Sequence, residues 1–389
     1  MITNKLLPAL FFASLPGLCL AANQVTISAA NKLQIARAAQ TIELSAKDLA
    51  PVSGNLERIH IQDASGKEVL AQAVDSDFDA YHKPDILIFQ ADFAPGETKT
   101  FTATTGARHE YTKDQFKAFG RFNRERFDDF AWENDRIAHR TYGKALETWE
   151  GEPLSSSTID IWSKRTPHMV INDWYLVDNY HEDAGEGADY YSAGLSRGDG
   201  GIGFWADNRL WVSKSFVQSR VLANGPIRVM FELVYEPFDV NGISVSEVKR
   251  VSLDAGQQLD HYVSTFKPYT RPGQSVNLTA AIGLKKTSGE QKQLNAEHGW
   301  LTKWEKVEKN GGNQGLAVIV NPESFEKTTE DKLNDLVLVK VPADYRVDYR
   351  AGFCWDKAGQ ITSHEAWQKY VDEFAQGIAS PIEVTVTAK

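Results

Sequence analysis

Between Trp132 and Arg197 the chain gathers aromatic, basic and acidic side chains in a few short stretches. They are Glu125–Gly143, with Trp132 and His139; Ile159–Arg165, with Lys164 and Arg165; Asn179–Tyr191, with Tyr180, His181, Asp183 and Tyr191; and Arg197–Gly201. This mixture suits a sugar. An aromatic face covers the apolar side of a pyranose ring, while Arg, Asp, Glu, Asn and His read its hydroxyls. Arg and Lys further suit an acidic sugar, because a guanidinium meets a carboxylate through two parallel hydrogen bonds. Any one of these residues also has an ordinary structural role, as a packed aromatic or a loop-fixing ion pair. It is the cluster that points to carbohydrate.

Familiar catalytic signatures are missing: no HExxH, P-loop, GxSxG elbow or CxxC occurs. No cofactor is expected. His181, Asp183, Glu186 and Asp189 are the candidate ligands if a divalent metal is used, although their spacing matches no standard loop.

The elements that must position these groups read as strands. Ile227, Val229, Phe231, Leu233 and Tyr235 alternate with Arg228 and Glu232. Period-two runs recur at Thr41–Ala46, Arg58–Gln62, Ser246–Leu253, Leu259–Phe266, Val276–Leu284, Leu316–Val320, Leu336–Val341, Arg346–Phe353 and Ile382–Thr387. Separated by Gly, Asn, Asp and Pro, they predict antiparallel sheets stacked as a sandwich. One segment differs: Trp367, Tyr370, Val371 and Phe374 fall at helical spacing, with Ser363 as the start and Gly377 as the end. His261, in Leu259-Asp260-His261-Tyr262, could reach a cleft from its strand.

Residues 1–22 read as an export signal, with Lys5, an apolar run and small residues at Ala21-Ala22. The expectation is an exported protein, periplasmic or secreted, with no membrane association once the signal is removed. Residues 23–105 read as an N-terminal β-sandwich portion and 106–389 as the main body carrying the site. The net charge is −10, and loss of Lys5 makes it more negative, so nucleic acid is not an expected partner. Cys354 is then the only cysteine, so the fold must rest on its core rather than on a disulfide.

The four stretches above, with the ending Ala351-Gly352-Phe353-Cys354-Trp355, Gly359 and the Trp367 helix, resemble the bacterial family called domain of unknown function 4861. The resemblance implies a mainly β, antiparallel, galactose-mutarotase-like supersandwich and a role in breaking down uronate-rich polysaccharides. It also implies β-elimination or dehydration on uronic acid units. Such a step removes the weakly acidic C5 proton, so the carboxylate must be neutralised, with a base at the proton and an acid at the leaving oxygen. His139 and His181 are the leading acid/base pair, with Tyr180 in reserve, since histidine titrates near neutrality. Lys164, Arg165 and Arg197 are candidates to hold the carboxylate, Asp183 to orient a histidine, and Trp132 and Tyr191 to stack on the sugar. On a strand Tyr180 and His181 would face opposite ways, so both reach one substrate only from a loop, which favours His181. A glycoside hydrolase using Asp183 and Glu186, a mutarotase, and a non-catalytic binder of acidic oligosaccharides remain open alternatives.

Overall fold

The computed structural model describes residues 24–77, 82–151, 154–177, 179–271, 273–307 and 311–388. The expected signal over 1–22 lies outside the described residues. The strands are antiparallel and assemble into a supersandwich, as the alternation requires. Its largest layer has eight strands in the order Gln218–Asn224, Arg228–Val240, Ile243–Asp254, Leu259–Pro268, Arg346–Trp355, Asn313–Val320, Trp300–Lys306 and Gln291–Asn295. Two smaller sheets pack on one face of it. One is centred on Asp199–Ala206, Thr279–Lys285 and Asn334–Lys340. The other, called the site sheet below, runs Gly187–Ala188, Asp160–Lys164, Ala138–Thr141, Asp129–Asn134, Ala118–Asn123. A single core joins all three, with Phe231, Tyr262 and Phe353 from the large sheet, Phe204 and Ile282 from the second, and Phe130, Trp132 and Ile161 from the site sheet.

The N-terminal sandwich is a separate two-sheet unit with its own core around Val25, Ile27, Phe89 and Phe101. The chain's last strand, Glu383–Ala388, belongs to it by pairing with Gln24–Ala30. The sandwich sits on the outer face of the large sheet, where Val74 and Ile88 pack with Ile227 and Met230. The Gln72 side chain donates to the Arg228 carbonyl at 3.0 Å and accepts from the Ile227 and Arg228 amides at 2.8 Å. Consequently Arg228 and Glu232, which alternation assigns to solvent, are buried.

The helical spacing near the C-terminus is realised as His364–Ala379, with Ser363 capping its first turn through the Ala366 amide at 3.2 Å. Gly377 does not end it. The helix continues to Ala379 because Arg37 reaches its end, donating to the carbonyls of Gly377 at 3.2 Å and Ser380 at 2.8 Å. Those carbonyls have no partner within the helix, and a cation complements the negative end of the helix dipole. Trp367 anchors the helix to the outer face of the large sheet, fully buried with Trp300, Ile319 and Cys354, its indole N–H on the Leu316 carbonyl at 3.1 Å. Gly315 makes room for it, since a Cβ there would lie 2.5 Å from the indole. No helix among the described residues is long and apolar enough to cross a membrane.

Trp367→Ala should therefore lower unfolding stability by about 3–5 kcal/mol, read as a reduced urea midpoint. An unchanged midpoint would mean that the helix is not integral to the fold.

Candidate active site

The site sheet carries different chemistry on its two faces. Along Asp129–Asn134, Phe130 and Trp132 point into the main core, while Ala131 packs outward against Trp162, Ile171, Tyr175 and Tyr180. The adjacent strand keeps the same alternation: His139 lies opposite Trp132, and Arg140 opposite Ala131. His139 thus faces inward and Arg140 outward.

The inward group is closed to solvent. His139 is fully buried, stacked on Trp132 with ring centres 5.3 Å apart, its Nε2 3.0 Å from Asp260 and its Nδ1 3.1 Å from the Asp160 carbonyl. The Trp132 indole donates to the other Asp260 oxygen at 2.7 Å. Burial pushes the His139 imidazole down, but the Asp260 carboxylate outweighs it and holds the imidazole above its ordinary value. Burial likewise drives Asp199 up to about 8, against the pull of His139. Neither Asp199 oxygen has a hydrogen-bond partner among the described residues.

The outward group is built around Arg140. Its Nε donates to Asp160 at 2.9 Å, one terminal nitrogen to Asp189 at 2.9 Å, and the other to the Tyr180 hydroxyl at 3.4 Å while lying 3.9 Å from Asp129. Tyr142 donates to the same Asp160 oxygen at 2.7 Å. Arg126 donates to the Tyr180 hydroxyl from the other side at 2.8 Å. Burial raises Asp129 to about 7 even with Arg140 and Arg126 nearby, and raises Asp189 well above the ordinary carboxylate range.

Tyr180 and His181 do not lie on a strand. They sit in a turn closed by the Asp189 amide on the Tyr180 carbonyl at 2.7 Å, which removes the constraint that they face opposite ways. Their ring centres are 4.6 Å apart. His181 is half exposed, its Nδ1 3.1 Å from the Asp189 carbonyl and 3.6 Å from the Asp189 carboxylate, which leaves Nε2 for solvent or substrate. Beside them Phe127 and the exposed Trp149 stack at 4.4 Å, and the Arg126 guanidinium lies over both rings. This corner is strained: Phe127 and Asp128 take φ of 50° and 64°, rare for residues with side chains. Gly143 passes so close to Asp128 that a Cβ would meet its carbonyl oxygen at 1.9 Å.

The residues expected from sequence thus divide. Tyr180 and His181 come together, the His181 ring half exposed and the Tyr180 ring buried against Trp162 and Tyr175. His139 and Trp132 lie in the core, with the Trp132 ring fully buried. Lys164 is buried and holds a loop, donating to Glu133 at 2.7 Å and to the Asn134 and His168 carbonyls, while Glu133 accepts the amides of Val170 and Ile171. Arg197 is buried between the Ser156 and Ser157 hydroxyls at 2.7 and 3.1 Å, and burial lowers its pKa to about 10. Arg165 pairs with Asp183 at 2.6 Å over the Trp355 ring. Asp183 also accepts the Gly185 and Gly187 amides and the Tyr190 hydroxyl, so it serves this turn and not His181. Tyr191 packs in the main core. Of the possible metal ligands, His181, Asp183, Glu186 and Asp189 do not converge. Among the described residues the groups that do are His60, Glu68, His109 and Asp75, Asp77, Asp85, both in the N-terminal portion.

Arg126, Arg140, Phe127 and Trp149 were not singled out from sequence. Alternation held the signal for Arg140: a strand that buries His139 beside Trp132 must turn Arg140 to the other face.

The profile of the family described as "Domain of unknown function (DUF4861)" matches residues 29–384. A protein of Formosa agariphila, recorded as "Uncharacterized protein P7", is 32% identical over 377 residues, covering 92% of this chain and 93% of its own. Among solved structures, the chain is similar to a protein in the glycosyl hydrolase family 38 from Enterococcus faecalis, with TM-score 0.47, 9% identity, and coverage of 96% of this chain and 48% of that one. It is also similar to an alpha-mannosidase from Enterococcus faecalis, with TM-score 0.46, 8% identity, and coverage of 94% and 46%. The chain spans about half the length of each of these two structures.

Two outcomes follow from the charges. Arg140→Met should cost about 3–5 kcal/mol, since it strands buried carboxylates, and Arg140→Lys should recover only part, because an ammonium lacks the guanidinium's fork; urea unfolding of both variants checks this. Asp199 has a folded pKa above its unfolded value, so the folded state keeps a proton that the unfolded chain releases. Stability should fall as pH rises from about 4 to about 8, and Asp199→Asn should flatten that slope. An equally steep slope in the variant would assign the loss to other groups.

Proposed function

For a chain that belongs to the family described as domain of unknown function DUF4861, we propose that the Tyr180–His181 surface performs β-elimination or dehydration on uronic-acid-containing oligosaccharides. One observation carries the reading: two guanidiniums, Arg126 and Arg140, donate to the Tyr180 phenol oxygen while His181 lies beside the same ring. A phenol oxygen has two lone pairs and one proton. With both lone pairs taken by arginines, what Tyr180 has left to give is its proton, the part a general acid delivers to a leaving oxygen.

The step then assigns itself by reach. Arg126, partly exposed at the rim, neutralises the uronate carboxylate and makes the C5 proton removable. His181 takes that proton on Nε2, and the Asp189 backbone carbonyl, 3.1 Å from Nδ1, accepts from the imidazolium that forms. The C5–H electron pair becomes the C4=C5 double bond. The C4–O bond breaks, and its oxygen leaves with the Tyr180 proton, as water or as a sugar hydroxyl. Trp149 and Phe127 offer the apolar surface on which a neighbouring ring rests. The hydrolase alternative has less support, since Asp183 is committed to Arg165, Tyr190 and two amides.

Elimination creates a double bond conjugated to a carboxylate, and its ultraviolet absorbance reports the reaction directly. Purified protein acting on uronate-containing oligosaccharides should raise that absorbance. His181→Ala and Tyr180→Phe should each slow it by about 10²–10⁴-fold, while Trp149→Ala should act mainly on KM. A rise that His181→Ala leaves intact removes His181 from the site, and no rise on any uronate substrate defeats the elimination chemistry.

A further inference from the structure

A cleft of about 560 Å³ lies on the opposite side of the large sheet, between the N-terminal sandwich and the C-terminal helix. Its volume is within the roughly 300–1,000 Å³ usual for small-molecule sites. One wall is the strand Arg37–Ser45, the other is the helix face carrying Tyr370 and Phe374, and Arg228, His261 and Arg350 rise from the floor. The His261 that the sequence leaves without an assignment opens into this space.

The charges here are matched in place. Arg228 is held by Asp254 through two bonds, at 2.5 and 2.7 Å, and by Glu43 at 2.6 Å. Asp348 accepts from Arg350 at 2.6 Å and lies 3.0 Å from His261. The Arg37 charge is directed at the carbonyls that end the helix. Burial lowers the His261 pKa against the effect of Asp348, so the imidazole adds no charge at neutrality. A net-positive floor would select an anion, whereas paired charges present fixed donors and acceptors without a net field. Beside them, Tyr370 and Phe374 are partly exposed, with ring centres 6.0 Å apart along one wall. An aromatic wall above a charge-balanced polar floor is complementary to a ring with one apolar face and several hydroxyls.

We propose that this cleft is a second saccharide-binding site, which takes an uncharged sugar unit. It is separate from the Tyr180–His181 surface and does not depend on the reaction assigned there. An acidic heteropolysaccharide contains neutral residues as well, and a site for them would hold the chain while the other surface handles its uronates.

Calorimetric titration of the full chain with glucose, xylobiose and cellobiose, and with glucuronate as the acidic match for glucose, tests this. At least one neutral sugar should bind, and glucose should bind more tightly than glucuronate. Phe374→Ala should weaken the neutral sugar by about tenfold, and His181→Ala should leave it unchanged. Should Phe374→Ala fail to fold, Gln40→Trp fills the cleft from the opposite wall and should abolish the binding. Absence of neutral-sugar binding overturns the proposal, as do binding that survives both cleft variants and glucuronate binding as tightly as glucose. None of these results bears on the ultraviolet assay, so the two readings fail separately.

Discussion

The outward face of the site sheet depends on one buried guanidinium. Arg140 touches Asp160, Asp189 and the Tyr180 hydroxyl and lies close to Asp129, groups from two strands, the residue just after a third strand and one turn. Moving such carboxylates out of water is costly unless a cation meets them with directed hydrogen bonds. A guanidinium has five donors in a rigid plane, so it can satisfy several partners at once and fix their relative positions. The position of Tyr180 is therefore set by an electrostatic centre. The strained corner at Phe127 and Asp128 is tolerated beside it, where Arg126 and Gly143 leave the backbone little freedom.

The two faces of the site sheet solve different problems with the same residue types. Inward, His139, Trp132 and Asp260 form a dry, closely packed set that links the site sheet to the large sheet. Outward, histidine, aromatic and carboxylate recur as His181, Tyr180 and Asp189, with Tyr180 and Asp189 buried and His181 now at the edge of solvent. What separates the two histidines is burial and not the kinds of residue around them.

That distinction limits what a sequence can show. Alternation in Ile227–Tyr235, Leu259–Phe266 and Arg346–Phe353 is a local pattern that led directly to antiparallel sheets, as helical spacing led to the helix around Trp367. Arg228 and Glu232 followed the same alternation and are nevertheless buried, because the sandwich that covers them comes from a distant part of the chain. For the same reason the candidate residues were legible as a set but not by role. Nothing near Lys164 in sequence signals that it clips a loop to Glu133, and nothing near Trp149 signals that Arg126 lies over it. Whether Tyr180 and His181 meet turns on strand against loop, which their own sequence leaves open, and a turn is what lets both rings sit together.

The pairing of Gln24–Ala30 with Glu383–Ala388 also constrains how the molecule comes into being. The first described strand is flanked by Thr98–Thr105, made soon after it, and by Glu383–Ala388, made long after it. Until then one edge of the N-terminal sandwich stays open, a row of unpaired amides and carbonyls of the kind that recruits other strands. Closing it joins segments far apart in sequence, a slow class of contact. The sandwich is thus assembled from segments made early and sealed by one made late.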